Sequence, residues 1–280
     1  TAVSRALRDA MESGRAETCM EKDGREYQFD MTRIQADGET VGAVLLTFDV
    51  TEQTFAQRNR REFTANVSHE LKSPLQCIIG SAELLESGMV QPEDMPRFVG
   101  HIRSEAQRLV TLINDIIRLS ELDEGGALPM EPVELLALCR DTAAGLSAAA
   151  EKRHVAVTVT GEEVTVPGVR RLLSEVFANL CDNAIKYNVD GGSVAIHVSR
   201  KGDNACVTVS DTGIGIPAEH QSRVFERFYR VDKSHSKSSG GTGLGLSIVK
   251  HAVAYHHGTV ELDSREGKGT AFTVTLPLNQ

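Results

Sequence analysis

Ser68-His69-Glu70-Leu71-Lys72-Ser73-Pro74-Leu75 lies inside a helical pattern that runs from Phe55 to Ser87. Apolar residues at Phe63, Val67, Leu71, Leu75, Ile78, Ala82 and Leu85 recur in steps of three and four, which keeps one stripe on one face. At about 100° per residue His69 falls roughly opposite the Val67/Leu71 stripe, so its imidazole is expected in solvent. Pro74, five residues on, removes the hydrogen bond to the Glu70 carbonyl and costs a helix interior about 3 kcal/mol. A kink kept beside an exposed imidazole suggests that the imidazole is used. Glu70 can take the proton from one ring nitrogen and leave the other nucleophilic toward phosphorus. On chemistry alone, a lone exposed His is more often a plain surface residue.

A break from Gly88 to Pro96 separates this helix from a second one, whose stripe runs Phe98, Ile102, Leu109, Ile113, Ile116 and stops at Gly125-Gly126. Two long helices with narrow apolar seams bury them poorly alone, whereas two copies make a four-helix bundle, so a homodimer is expected.

After Pro129–Pro132, read as a linker, the pattern alternates. Helical periodicity covers Val133–Lys152, Arg170–Tyr187 and Leu244–His257. Period-two segments cover Val155–Thr160, Ser193–Arg200, Ala205–Ser210, Thr259–Asp263 and Thr270–Leu278. An α/β layer domain with a mixed sheet follows, its last two strands forming a hairpin. In Arg170–Tyr187 the residues Glu175, Asn179 and Asn183 stand at i, i+4 and i+8, a polar row beside Val176, Phe177, Leu180 and Ala184. Such oxygens suit Mg²⁺, which is commonly held by few protein ligands plus substrate phosphates; a solvent-facing stripe reads equally well. Val207–Ser210 then delivers Asp211, followed by a tight turn at Gly213 and Gly215. A carboxylate there can accept from an exocyclic amine while the glycines let a planar base approach, although the same turn occurs without a ligand. From Phe225 to Gly245 a polar, basic stretch with Arg230 and Lys233 leads through Gly240-Gly241-Thr242-Gly243-Leu244-Gly245 to a helix start. Free N–H groups and the helix dipole favour anions at such a place; a plain linker is the alternative. No GxxxxGK[ST] loop occurs anywhere in the chain.

Ahead of the long helix, residues 1–51 read as a short helix (Ser4–Met11) and strands near Thr18–Glu21, Glu26–Gln35 and Val41–Val50, reversed at Asp23-Gly24 and Asp37-Gly38. A net charge of −9 argues against a general nucleic-acid binder, which needs excess Lys and Arg to neutralise phosphates. The longest apolar run, near Val41–Val50, is far short of the roughly 20 residues of a membrane span. Five scattered cysteines without CxxC spacing fit reduced thiols better than disulfides or zinc. The histidines other than His69, including His256-His257, lack ligand-spaced neighbours and are read as surface or core residues.

Taken together and in this order, from about Thr51 to Leu278, these motifs resemble the sensor histidine kinases of two-component systems. The Ser68–Leu75 stretch is similar to their phosphoacceptor box, commonly SHELRTPL, and departs from it at Lys72 and Ser73. Asn179–Tyr187 resembles the N-box, Asp211-Thr212-Gly213-Ile214-Gly215 the first glycine box, and Phe225–Gly245 the F-box and second glycine box of the ATP lid. The end of residues 1–51, Thr47-Phe48-Asp49-Val50-Thr51-Glu52, resembles the close of a PAS sensor domain.

The resemblance implies a multi-domain chain: a partial β-rich PAS-like segment (1–51), a signalling helix and helical hairpin forming a dimeric four-helix bundle (52–128), and an α/β sandwich of the Bergerat or GHKL type that binds ATP (129–280). It implies His69 as phosphoacceptor assisted by Glu70, and Mg²⁺ on Asn183 with Glu175. Nucleotide contacts would come from Asn179, Lys186, Tyr187, Asp211, Gly213, Gly215, Arg230, Lys233 and Gly241 through Gly245, with Thr242 and Leu244 between the glycines. The partner would be the receiver domain of a response regulator. Ser73 stands where the family usually has Thr or Asn to orient water, so a phosphatase activity is left open. The expected setting is a cytoplasmic fragment of a bacterial protein anchored in the membrane upstream. Before the Arg170 helix, Val166–Val169 lacks the acidic residue common in the family, an expected change in helix capping. Two other classes share parts of the pattern: a GHKL ATPase that closes a clamp without phosphorylating itself, and a non-catalytic scaffold.

Overall fold

The computed structural model describes residues 2–123, 126, 128–231 and 241–279. The chain divides into two compact units, Thr1–Glu70 and Leu71–Gln280.

In the first unit α1 (Ala2–Ser13) is followed by β1 (Arg15–Lys22), β2 (Arg25–Ala36) and β3 (Glu39–Asp49), an antiparallel sheet in the order β1-β2-β3. Asp23-Gly24 and Asp37-Gly38 make the reversals with positive φ at both residues of each pair, the turn geometry that matches strand twist. A small core of Ala6, Ala10 and Met31 joins α1 to the sheet. Arg33 closes the end of α1 by donating to the carbonyls of Met11 (2.7 Å) and Glu12 (3.3 Å). No loop separates β3 from the long helix α2 (Thr51–Glu86). The Thr51 hydroxyl donates to Asp49 Oδ1 at 2.6 Å and accepts from the Glu26 N–H at 2.9 Å, while the Val50 N–H reaches the Glu26 carbonyl.

Helix α2 runs on through Pro74, and α3 (Met95–Asp123) follows after residues 87–94, the expected helical hairpin in sequence. Among the described residues of α2 only Pro74 is buried, and Leu75, Ile79 and Leu84 are exposed. Helix α3 has two apolar faces: Leu112 and Leu119 are buried, whereas Val110, Ile113 and Ile117 stand in solvent. Among the described residues no helix is long and apolar enough to cross a membrane.

The rest of the second unit is β4 (Glu131–Glu134), α4 (Leu135–Gly145), α5 (Ser147–Lys152), β5 (Ala156–Gly161), β6 (Thr165–Gly168), α6 (Arg170–Lys186), β7 (Ser193–Lys201), β8 (Asn204–Asp211), α7 (Ala218–Gln221), α8 (Gly245–Tyr255), β9 (Thr259–Arg265) and β10 (Gly269–Pro277). Five strands form one sheet in the order β5-β7-β8-β10-β9, in which only β5 and β7 are parallel. On β7 the buried Val194, Ile196 and Val198 alternate with exposed Ser193, Ala195 and His197, so one face meets the helices. Those residues join Leu172, Val176, Phe177 and Leu180 of α6 and Val249, Ala252 and Val253 of α8 in one core. Each such side chain contributes about 1.5–3 kcal/mol on burial.

Two local features depart from the sequence expectation. Val133–Lys152 is not one helix: its start belongs to β4, which pairs with β6, and α4 begins only where the Glu134 carboxylate accepts from the N–H groups of Leu136 (2.7 Å) and Ala137 (2.6 Å). Pro132 and Pro167 face each other in that ribbon, which hid both strands, because Pro lacks the donor that a central strand needs. Pro132 thereby leaves the expected linker, and the Tyr255 hydroxyl further ties the segment to α8, accepting from the Leu128 N–H (2.8 Å) and donating to the Gly126 carbonyl (3.1 Å). At the start of α6 no side chain caps Val169; its N–H donates instead to Nε2 of the buried His256 at 2.9 Å, while His256 Nδ1 donates to the Ala252 carbonyl at 2.7 Å. Burial pushes the His256 pKa down, which suits a neutral ring that donates at one nitrogen and accepts at the other.

Candidate functional site

Two members of the α6 polar row, Asn179 and Asn183, line a cavity of about 980 Å³ together with Lys186 and Tyr187. The same helix buries Val176, Phe177, Leu180 and Ala184 on the sheet, so packing of the apolar face fixes where the polar face points. At the sheet edge, β8 carries Asp211 into the cavity. Its Oδ1 accepts from the N–H of Gly213 (2.8 Å) and of Thr270 (3.2 Å), two bonds that hold the carboxylate's orientation. Burial raises the Asp211 pKa, and those two N–H groups oppose the rise. Gly213 is required by space, since a Cβ there would run into the Tyr187 carbonyl.

The cavity's far wall is the end of the lid. Gly241, Thr242, Gly243 and Gly245 line it, and Leu244, fully buried, is the residue from which α8 starts. Gly243 takes φ +75° against the Phe228 backbone, a place closed to a side chain. Lys186 lies beside Gly241, whose added Cβ would come within 2.7 Å of Lys186 Nζ. Burial first, and then Arg230, Arg153 and Arg108, push the Lys186 pKa down, while Asp182 opposes them. Three cationic side chains, Arg153, Lys186 and Arg230, thus line the cavity, where an anion would relieve their repulsion. Lys233 lies outside the described residues.

His69 sits exposed on α2, with half-buried Glu70 next to it and exposed Ser73 one turn on. His69 belongs to the first compact unit and the cavity to the second.

Glu175 does not line the cavity. One turn before Asn179, it pairs through Oε1 with Arg118 of α3, and its Oε2 has no hydrogen-bond partner among the described residues. Burial raises its pKa and Arg118 lowers it. Thr111 and Asp115 of α3 and Arg153 after α5 also line the cavity, and none of them was singled out from sequence. Arg108, Thr111, Asp115 and Arg118 recur at steps of three and four, a polar row legible in the sequence that marks a helix face with a partner.

A cavity that brings together a carboxylate at a strand end, a row of helix amides and a cluster of glycines, in a chain that also carries a helical hairpin with an exposed His, defines a class. Residues 168–280 match the family of histidine kinase-, DNA gyrase B- and HSP90-like ATPases, and residues 59–125 match the His Kinase A phospho-acceptor domain. Residues 59–125 and 168–280 belong to these two families, the domain pair of a two-component sensor histidine kinase. It is 38% identical to the sensor-like histidine kinase SenX3 of Mycolicibacterium smegmatis over 249 residues, 88% of this chain and 64% of that protein. It is 35% identical to the sensor protein kinase WalK of Staphylococcus haemolyticus over 250 residues, 88% of this chain and 41% of that one. The chain therefore spans only about two fifths to two thirds of these relatives. In fold it is similar to histidine kinase ThkA, solved in complex with response regulator protein TrrA, with a TM-score of 0.64 at 22% identity over 99% of this chain and 83% of that one.

Proposed function

We propose that the chain is an ATP-dependent protein-histidine kinase that phosphorylates His69 and passes the phosphoryl group to an aspartate of a response regulator. One observation carries the proposal: the base-binding carboxylate, the N-box amides and the lid glycines meet in a single cavity, in a chain that also presents His69 in solvent on a phospho-acceptor helix.

Asp211 would take the exocyclic amine of adenine on Oδ2, since both of its backbone bonds fall on Oδ1. Lys186 and Arg230 would face phosphate, together with the N–H groups at the start of α8. Asn183 would hold Mg²⁺, with Asn179 beside it, and the ion would neutralise charge on the transferred group. The donor set fits: Asn179 and Asn183 stand one turn apart on α6 and both line the cavity, so their amide oxygens, with phosphate oxygens and water, would carry the ion. Glu175, turned to Arg118, has no part in it. The nucleophile is a neutral His69 nitrogen, with Glu70 taking the proton from the other. Attack in line makes the P–N bond of a phosphohistidine as the bond to ADP breaks, and positioning supplies most of the rate.

The proposal includes three functional parts (1–51, 52–128 and 129–280), with the third moving to His69. It also includes a homodimer, since exposed Leu75, Ile79 and Ile113 need cover. The response-regulator partner is supported by the fold shared with the ThkA complex. A membrane anchor in a longer protein, and Ser73 as a water-orienting residue in dephosphorylation, belong to the same proposal.

Wild type and His69→Ala are incubated with γ-labelled ATP and the protein is then treated with acid or alkali. Acid-labile, alkali-stable label on wild type alone is the expected outcome. Hydrolysis with no label on either protein would move the chain to the clamp ATPases.

A further inference from the structure

Helix α3 contacts α8, its Leu112 and Leu119 are buried, and two members of its polar row, Thr111 and Asp115, line the cavity. Within that row Asp115 lines the cavity, and its Oδ2 accepts from the Thr242 hydroxyl at 2.7 Å. Thr242 Oγ1 in turn accepts from the Leu244 N–H at 3.3 Å, at the start of α8. The carboxylate thus sits on the lid residue beside the helix N-terminus that would receive phosphate. On the same helix Arg118 pairs with Glu175, and its charge together with the Thr242 hydroxyl favours the ionised form of Asp115 only in part against burial.

We propose that Asp115 is a built-in competitor of nucleotide phosphate, so that seating of α3 on α8 and binding of a nucleoside triphosphate oppose each other. The inference rests on the nucleotide-site reading above and goes beyond it. Two anions cannot share one desolvated pocket end without strong repulsion, and the repulsion grows with the number of phosphate charges. Burial already raises the Asp115 pKa, which marks a carboxylate short of solvation before any phosphate arrives. Coupling is reciprocal: if seated α3 weakens triphosphate binding, the triphosphate loosens α3 by the same factor. The loaded domain is then released from the helix that holds it, whereas the empty domain stays seated.

Affinities of ATP, ADP and adenosine are measured by calorimetry on the full chain, wild type and Asp115→Asn, each first checked for an unchanged melting transition without nucleotide. Asp115→Asn is expected to tighten ATP by about tenfold, ADP by less, and adenosine not at all. Hydrogen exchange on unmodified protein supplies a second measurement, in which ATP speeds exchange in 112–122 more than ADP does. A variant that binds ATP equally or more weakly, or exchange in 112–122 that ATP leaves unchanged, overturns the competitor while leaving the nucleotide site intact. Wild type that binds no nucleotide overturns both.

Discussion

Helices α2 and α6, which carry the proposed phosphoacceptor and the proposed nucleotide-binding row, are built in opposite ways. Helix α6 is 17 residues long and buries eight of them, so its polar row is aimed by the whole core beneath it. Helix α2 is 36 residues long, and among its described residues only Pro74 is buried. A nucleotide has to be held at several points at once, which needs preorganised groups on a rigid element. A phosphoacceptor has to be reachable, and packing would only obstruct it.

The largest test of this contrast is packing. Phe177→Ala is expected to cost about 3–5 kcal/mol in denaturant unfolding of the second unit, whereas Leu75→Ala, measured in dilute protein, should change stability by about 0.5 kcal/mol or less. Equal costs would erase the distinction. Next comes binding: Asp211→Ala is expected to weaken ATP by about 30–100-fold, the loss of a hydrogen bond to a buried charged acceptor, while His69→Ala binds ATP as wild type does. A smaller effect sharpens the picture at the start of α6. His256 has a folded pKa below its unfolded value, so its neutral ring stabilises the fold above about pH 6.5. That contribution drains away as pH falls from there toward the lowered folded value, because the unfolded chain takes up the proton first. His256→Ala should cost about 1–2 kcal/mol at pH 7.5, leaving the Val169 N–H unpaired, and should flatten the acid limb of stability against pH.

What the sequence disclosed follows the same divide. The exposure of His69, the extents of α2, α6 and α8 and the terminal hairpin all come from periodicity and turn residues, which are local. The polar row Glu175, Asn179, Asn183 was legible too, yet its first member turned to Arg118, a residue 57 positions earlier. Nothing in spacing alone separates a row that faces a ligand from one that faces another helix. Asp115 and Arg153 were hidden for the same reason: they reach the cavity only through tertiary packing. The β4–β6 ribbon was masked by its prolines, and the Val169–His256 bond joins residues 87 apart.

The join between β3 and α2 has a mechanical consequence. With Asp49 and Thr51 clamped to each other and to Glu26, the sheet hands its orientation to the helix with no slack. The joint fixes azimuth, the compass bearing of each α2 side chain about the helix axis. One extra residue between Val50 and Thr51 would swing that bearing by about 100°, and His69, five turns away, would point to another quarter. The length of this joint is in effect a phase setting, since one continuous helix runs from it to His69.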